Sequence, residues 1–299
     1  MAGNETGTGS AAGTGKGVDR DSVTAAVIAS FAKSGDARFR FLVERLVTHL
    51  HAFARETGLT HAEWEAGIDY LFRAGRISDG ARNEFILTSD LLGLSSLVDL
   101  LHSKPGATQG SVLGPFHSSD SDSLPVGGDA AQANTGDRVV VRGVITDSTG
   151  KLLPGAAIDF WQAAATGLYW QQDPMQDPQN LRFRMQAGAD GRYAFSTVRP
   201  GPYTVPYDGP AGDLLRAGGR HAWRPAHFHF IVQAEGHESL VTEVFPEDDP
   251  WIGEDAVFGV RETLAVPFRR NESTQEARAL GVTAPFYTVD FDFRLRPAG

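Results

Sequence analysis

Hydrophobic residues recur with two different periods along the chain, and the change of period divides it. From residue 21 to 102 the spacing is helical. After Asp36, which can cap, Phe39, Leu42, Val43, Leu46, Val47, Leu50 and Phe53 follow at three- and four-residue steps, so an amphipathic helix is expected to close near Gly58. Thr60 and Glu63 fit a capping box for a second helix from about His61 to Ala74, stopped at Gly75. A third is expected from Asp79 to His102, ended by Lys104-Pro105-Gly106. Beyond Gly106 the period falls to two. Strands are expected at 139–145, 157–162, 192–197, 227–233, 240–245 and 286–295, divided by Gly, Pro, Asp and Asn clusters. No helical crossover separates them, so the pattern predicts an α+β protein: a helical N-terminal domain over 21–105, then a mainly antiparallel β-sandwich over 106–299. The first seventeen residues have no apolar run, and a disordered tail is expected over 1–20.

Composition narrows the chemistry. Lys and Arg number 27 against 37 Asp and Glu, a net charge of −10, which disfavours nucleic acid and anionic membrane as partners. The chain has no cysteine, so thiolate nucleophiles and zinc–thiolate or iron–sulfur sites are excluded. Any metal must sit on His, Tyr or carboxylate. The tail lacks the apolar stretch of about 7–15 residues that a secretory signal needs, and a cytoplasmic protein is the expectation.

The segment Arg224-Pro225-Ala226-His227-Phe228-His229-Phe230 is the densest in candidate chemistry. Side chains two apart on a strand share a face, so His227 and His229 converge while Phe228 and Phe230 point the other way. That is a possible ligand pair, although two buried histidines bonded to neighbours would have the same spacing. His49 and His51, also two apart, fall on a helix, where the step separates them by about 200°, and are assigned to solvent. Of the six tyrosines, Tyr169 follows an apolar strand in Ala165-Thr166-Gly167-Leu168-Tyr169, and Tyr203 sits in a turn stiffened by Pro202 and Pro206. Spacing alone does not make either a ligand.

Leu153-Pro154-Gly155-Ala156, Asp159-Phe160-Trp161-Gln162, Gly167-Leu168-Tyr169, Gly191-Arg192-Tyr193, Pro202-Tyr203-Thr204-Val205-Pro206, Gly219-Arg220-His221 and the His-x-His segment together resemble the intradiol ring-cleaving dioxygenases. The resemblance runs over almost the whole chain after the tail. It implies one ferric non-haem iron per chain, held by Tyr169, Tyr203, His227 and His229, with Tyr203 favoured as the ligand that substrate displaces. Phenolate suits this role because it is a hard anionic donor that favours Fe(III). The reaction implied is ring opening of an aromatic diol or triol with O2. By the same resemblance Arg224 faces the substrate ring and stabilises negative charge developing there, a structural ion pair being the other reading. Glu243 stands where catechol-cleaving relatives usually carry glutamine. A carboxylate there changes the charge of the site unless it is protonated or turned away.

Glu84–Asp90, Leu113–Phe116, Asp208–Gly212 and Asp255–Val260 resemble the hydroxyquinol-cleaving branch of the family. The implied ring pocket is Leu87, Asp90, Leu113, Gly114, Pro115, Phe116, Val205, Pro206 and Val257. Asp90 is expected to accept a hydrogen bond from a third ring hydroxyl that catechol lacks, unless it is solvated or caps a turn. Hydroxyquinol (benzene-1,2,4-triol) is the leading substrate, giving 3-hydroxy-cis,cis-muconate, the enol form of maleylacetate. Catechol or a chlorocatechol is the alternative within this chemistry, and a transthyretin-like binding sandwich the alternative outside it. Family resemblance also implies a homodimer through the helical domain, with a lipid at its interface left open.

Overall fold

The computed structural model describes residues 17–79, 82–131 and 134–298. Most of the tail expected over 1–20 therefore lies outside the described residues. Contact density splits the chain within one helix, between Tyr70 and Leu71, whereas the change of sequence period falls near residue 105.

In the first unit, α1 is Val23–Ser30 and α2 is Ala37–Thr57. The Asp36 side chain accepts from Phe39 N at 3.0 Å, and Gly58 closes α2 in the left-handed region at φ 61°. Helix α3, His61–Ile77, begins with the expected reciprocal cap: Thr60 N donates to Glu63 Oε2 at 2.9 Å and Glu63 N to Thr60 Oγ1 at 3.3 Å. It does not stop at Gly75. That glycine is not among those with positive φ, and a right-handed glycine only weakens a helix, by about 1 kcal/mol relative to alanine.

The expected third helix is two. Helices α4 (Glu84–Leu91) and α5 (Leu94–His102) meet at a 73° bend where Gly93 takes φ 72°. Asn83 caps α4 through Phe85 N and Ile86 N, both at 3.1 Å. The bend ends α4 with Leu87, Asp90 and Leu91 buried, which is how this short helix comes to supply a cavity wall.

The remaining elements are β1 (Gly128–Asp129), β2 (Arg138–Asp147), β3 (Ala157–Gln162), β4 (Arg182–Gln186), β5 (Arg192–Val198), β6 (Tyr203–Thr204), α6 (Pro210–Ala217), β7 (Trp223–Arg224), β8 (Phe228–Gln233), β9 (Leu240–Pro246), β10 (Ala265–Val266), β11 (Arg269–Asn271), α7 (Thr274–Ala279), β12 (Phe286–Asp290) and β13 (Phe293–Leu295). One sheet runs β1-β5-β2-β12-β11, with β13 also on β2, a second runs β10-β9-β8-β3-β4, and β6 and β7 form a third, two-stranded one that pairs Tyr203 with Arg224. The two larger sheets are mixed: β2–β5, β3–β4, β3–β8, β8–β9 and β11–β12 pair antiparallel, but β12 and β13 run parallel to β2, β1 to β5, and β10 to β9. The expected last strand is interrupted at Phe291 and Asp292 without losing register. Tyr193 Oη donates to the Phe291 carbonyl at 2.7 Å and Val144 N to Asp292 Oδ1 at 2.9 Å, replacing ladder bonds.

Val139, Val141, Tyr193 and Phe195 of the first sheet pack with Ile158, Phe160, Phe228, Phe230 and Val232 of the second in the main core. Burying each such side chain contributes roughly 1.5–3 kcal/mol. The pleat then fixes the chemistry. With Phe228 and Phe230 committed to the core, His229 must emerge on the opposite face of β8.

Candidate metal centre

His227 and His229 are both buried, at 2 % and 1 % exposure, and their Nε2 atoms lie 3.1 Å apart with the rings nearly perpendicular. His227 Nδ1–H donates to the Pro225 carbonyl at 2.7 Å. This fixes the tautomer and leaves the Nε2 lone pair facing the centre. His229 is held by Trp161 of β3, stacked face to face at 4.7 Å and 6°, with Gly114 close against its Cε1–Nε2 edge. A Cβ on Gly114 would sit 3.2 Å from His229 Cε1, and its φ of 70° also calls for glycine.

Tyr169 arrives from the loop after β3 and Tyr203 from the short strand β6. Tyr169 Oη is 3.4 Å from His227 Nε2, and the Tyr169 and Tyr203 rings meet edge to face at 5.4 Å. Phe116 stacks on Tyr169 at 4.3 Å and meets the edge of Tyr203 at 6.3 Å. All four residues named from the sequence are thus brought together.

Burial dominates the electrostatics. It pushes His229 well below its ordinary range and, with Arg224 beside it, His227 down to about 4, so both imidazoles are neutral, the form that ligates a cation. Burial likewise raises Tyr169 well above 10, with Tyr203 adding to the shift. Tyr203 is also raised by burial, against the pull of Arg224. Two neutral imidazoles and two phenols that need a strong cation to ionise make a hard N/O donor set suited to iron.

Arg224, 2 % exposed, is enclosed by two carboxylates. Its Nη1 and Nη2 donate to Glu243 Oε1 and Oε2 at 2.8 and 3.0 Å, while Nε and Nη2 donate to Asp255 Oδ1 and Oδ2 at 3.0 and 3.1 Å. Nη1 also reaches His227 Nε2 at 3.3 Å and Tyr203 Oη at 3.5 Å. The two readings of Arg224 are therefore not exclusive: it is ion-paired and it faces the centre. Burial alone would raise Glu243, but Arg224 and the histidines outweigh it and hold the carboxyl at about 2. Glu243 is ionised and turned onto Arg224, which answers the question its presence raised.

A cavity of about 280 Å³ opens beside the centre, at the small end for ligand pockets and in keeping with a single ring. Its walls include Leu87, Asp90, Gly114, Pro115, Phe116, Val205, Pro206 and Val257, as expected, together with Tyr203 and Arg224. Leu113 is the exception. It is 43 % exposed and absent from the walls, and its neighbour Val112, 4 % exposed, takes the place. Two adjacent apolar residues in an irregular segment give no sign of which faces in. Asp90 is 6 % exposed, and burial raises its carboxyl to about 6 against the pull of Ser95 and Arg224. It is not solvated. Arg82, Asn83, Ile86, Gln171 and Gln172 also line the cavity. They come from a helix entry and a loop that carry no periodic signal, and sequence reasoning did not find them.

Comparison with known proteins agrees with this geometry. The family model described as Dioxygenase matches residues 114–297, and that described as Catechol dioxygenase N terminus matches 36–110. The chain is 43 % identical to a 6-chlorohydroxyquinol 1,2-dioxygenase of Cupriavidus pinatubonensis, over 93 % of this chain and 98 % of that protein. It is 44 % identical to a hydroxyquinol 1,2-dioxygenase of a Rhizobium species, over 90 % and 92 %. Among solved structures, hydroxyquinol 1,2-dioxygenase from Pseudomonas putida superposes with a TM-score of 0.86 at 39 % identity, covering 93 % of this chain and 99 % of that one. A catechol 1,2-dioxygenase from an Acinetobacter species superposes at 0.80 with 27 % identity, covering 94 % and 92 %. A non-catalytic transthyretin-like module is thereby set aside. The chain belongs to the intradiol ring-cleaving dioxygenases, enzymes that use non-haem iron and O2 to open the rings of aromatic diols and triols.

Proposed function

We propose that this chain cleaves hydroxyquinol with O2 between its two adjacent hydroxylated carbons to 3-hydroxy-cis,cis-muconate, using one ferric iron per chain held by Tyr169, Tyr203, His227 and His229. The observation that carries the substrate is Asp90, a buried carboxylate on the wall of a cavity otherwise lined largely by apolar groups. Besides its bond with Ser95 it can accept from a third ring hydroxyl, which a triol offers and catechol does not. The names of the relatives at 43–44 % identity support the same choice.

Bound iron would supply charge that ionises the chelated diol and makes its ring reactive toward O2. The protein residues do the rest. Tyr203 is the candidate ligand that also lines the cavity, so its oxygen, ionised to phenolate when iron is bound, would be the one placed to take a proton from incoming substrate. Arg224 presents Nη1 to the same space, where it stabilises negative charge gathering on the ring. Phe116, Val205 and Val257 exclude water and hold the ring plane. Both atoms of O2 enter the product.

His227, His229 and Glu243 also form a compact buried cluster of potential ligand atoms, the makings of a two-histidine, one-carboxylate ferrous site. Glu243 is a poor third ligand. Both its oxygens are taken by Arg224, and the Ser111 hydroxyl lies 2.6 Å from Oε2. Oxygen uptake compared across hydroxyquinol, catechol and chlorocatechols tests the substrate. Hydroxyquinol is expected to have the highest kcat/KM, and a preference for catechol would replace it with the alternative.

We also infer a cytoplasmic homodimer. Leu42, Leu46, Leu50 and Phe53 on α2 are each about half exposed, between 48 % and 59 %, an apolar face that a second copy, with or without a bound lipid, would cover. Leu46→Glu is expected to shift sedimentation toward monomer, and a wild-type protein that sediments as monomer would remove the dimer.

A further inference from the structure

The carboxylates around Arg224 exceed its charge. One would pair the guanidinium; two leave the buried group with a net negative charge, which is costly unless other donors meet it. They do: Asp255 Oδ1 also accepts from Val257 N at 3.2 Å and Oδ2 from Gly259 N at 2.9 Å. The Ser111 hydroxyl lies 2.6 Å from Glu243 Oε2 and 2.7 Å from the Gly259 carbonyl. Asp255 closes the edge of the fork formed by Nε and Nη2, and Glu243 the edge formed by Nη1 and Nη2. A single carboxylate would hold only one edge of the planar fork and leave the other to shift within the pocket. With two, the Nη1 edge is held toward Tyr203 and His227. Gly259 leaves the room this needs, since a Cβ there would sit 2.6 Å from Arg224 Nη2, 2.8 Å from Glu243 Oε2 and 3.0 Å from Asp255 Oδ2.

We propose that Asp255 is a positioning residue for ring cleavage: from the loop that also supplies Val257 to the cavity, it completes with Glu243 a two-sided clamp that aims Arg224 at the reacting ring. This rests on the role of Arg224 given above. Asp255 touches neither the cavity nor the four candidate ligands in the contacts described, so its effect runs through the guanidinium.

The test uses iron-loaded full-length protein carrying Asp255→Asn, Gly259→Ala, Arg224→Lys and the Arg224→Lys/Asp255→Asn pair, assayed with hydroxyquinol and catechol. Asp255→Asn and Gly259→Ala are each expected to keep iron content and the visible tyrosinate-to-iron band, and to leave KM within about threefold while kcat falls about tenfold or more. The paired variant is expected to be no slower than Arg224→Lys alone, because the clamp has nothing left to aim. In metal-free protein, slow hydrogen exchange at Arg224 Nε–H, identified by NMR from its loss in Arg224→Lys, should become fast in Asp255→Asn. Gly259→Ala carries the test alone if Asp255→Asn does not fold. Wild-type kcat in the folded clamp variants, losses that multiply with Arg224→Lys, or loss of the iron band would overturn the clamp. Full kcat in Arg224→Lys would instead overturn the role assigned to Arg224.

Discussion

Two halves of the candidate site are built differently. The donor half takes His229 from β8, where strand pleat, the phenylalanine core behind it and Trp161 on β3 fix the ring, His227 from the residue just before it, oriented by the Pro225 carbonyl, and Tyr203 from β6, with Tyr169 alone on a loop. The recognition half takes Leu87 and Asp90 from the short helix α4, and Val205, Val257 and Gln172 from loops and turns. Rigid elements hold reacting groups more closely than loops do, and loops vary more freely. Errors in the donor half should therefore stop the reaction for every substrate, and errors in the recognition half should change which substrate is preferred.

The largest effects separate the halves most sharply. His229→Ala and Tyr203→Phe are expected to lower turnover by about 10³-fold or more on hydroxyquinol and catechol alike, with loss of iron or of its colour; metal analysis with oxygen uptake checks this. Asp90→Ala is expected to lower kcat/KM for hydroxyquinol about 10–100-fold while moving catechol by less than about threefold. Equal losses would return Asp90 to a structural role.

A smaller effect comes from pH. Burial lifts Asp90 from 3.8 to about 6, so kcat/KM for hydroxyquinol should fall as pH drops through about 6, where the carboxylate gains its proton and its charge-assisted bond to the ring hydroxyl is replaced by a weaker neutral one. Catechol should lack that limb. Stability has the opposite sign. A carboxyl whose folded pKa lies above its unfolded value binds its proton more tightly when folded, so stability is lost as pH rises from about 4 to about 6. Asp90→Asn removes that cost, and denaturant titration above pH 6 should show a gain of up to about 3 kcal/mol.

Legibility in the sequence followed the same division. Period two at Phe228–Phe230 placed the histidines on one face, and resemblance supplied the tyrosines, which no spacing could have joined. In the recognition half, apolar residues run on through Leu91, Leu92 and Leu94, so the 73° bend at Gly93 was invisible to periodicity. The exchange of Leu113 for Val112 is a one-residue flip between equally apolar neighbours. Asp255 stood in a segment that drew attention only to Val257, because a carboxylate in a loop reads as solvated until the partner it meets, Arg224, is in place.

The central claim is that two phenolates and two imidazoles hold the iron and Glu243 does not. Resonance Raman spectroscopy of the iron-loaded protein tests it most directly. Tyrosinate vibrations enhanced under the visible band should persist in Glu243→Gln and lose one component in Tyr169→Phe. Iron bound without tyrosinate modes, or modes unchanged in Tyr169→Phe, would contradict the assignment.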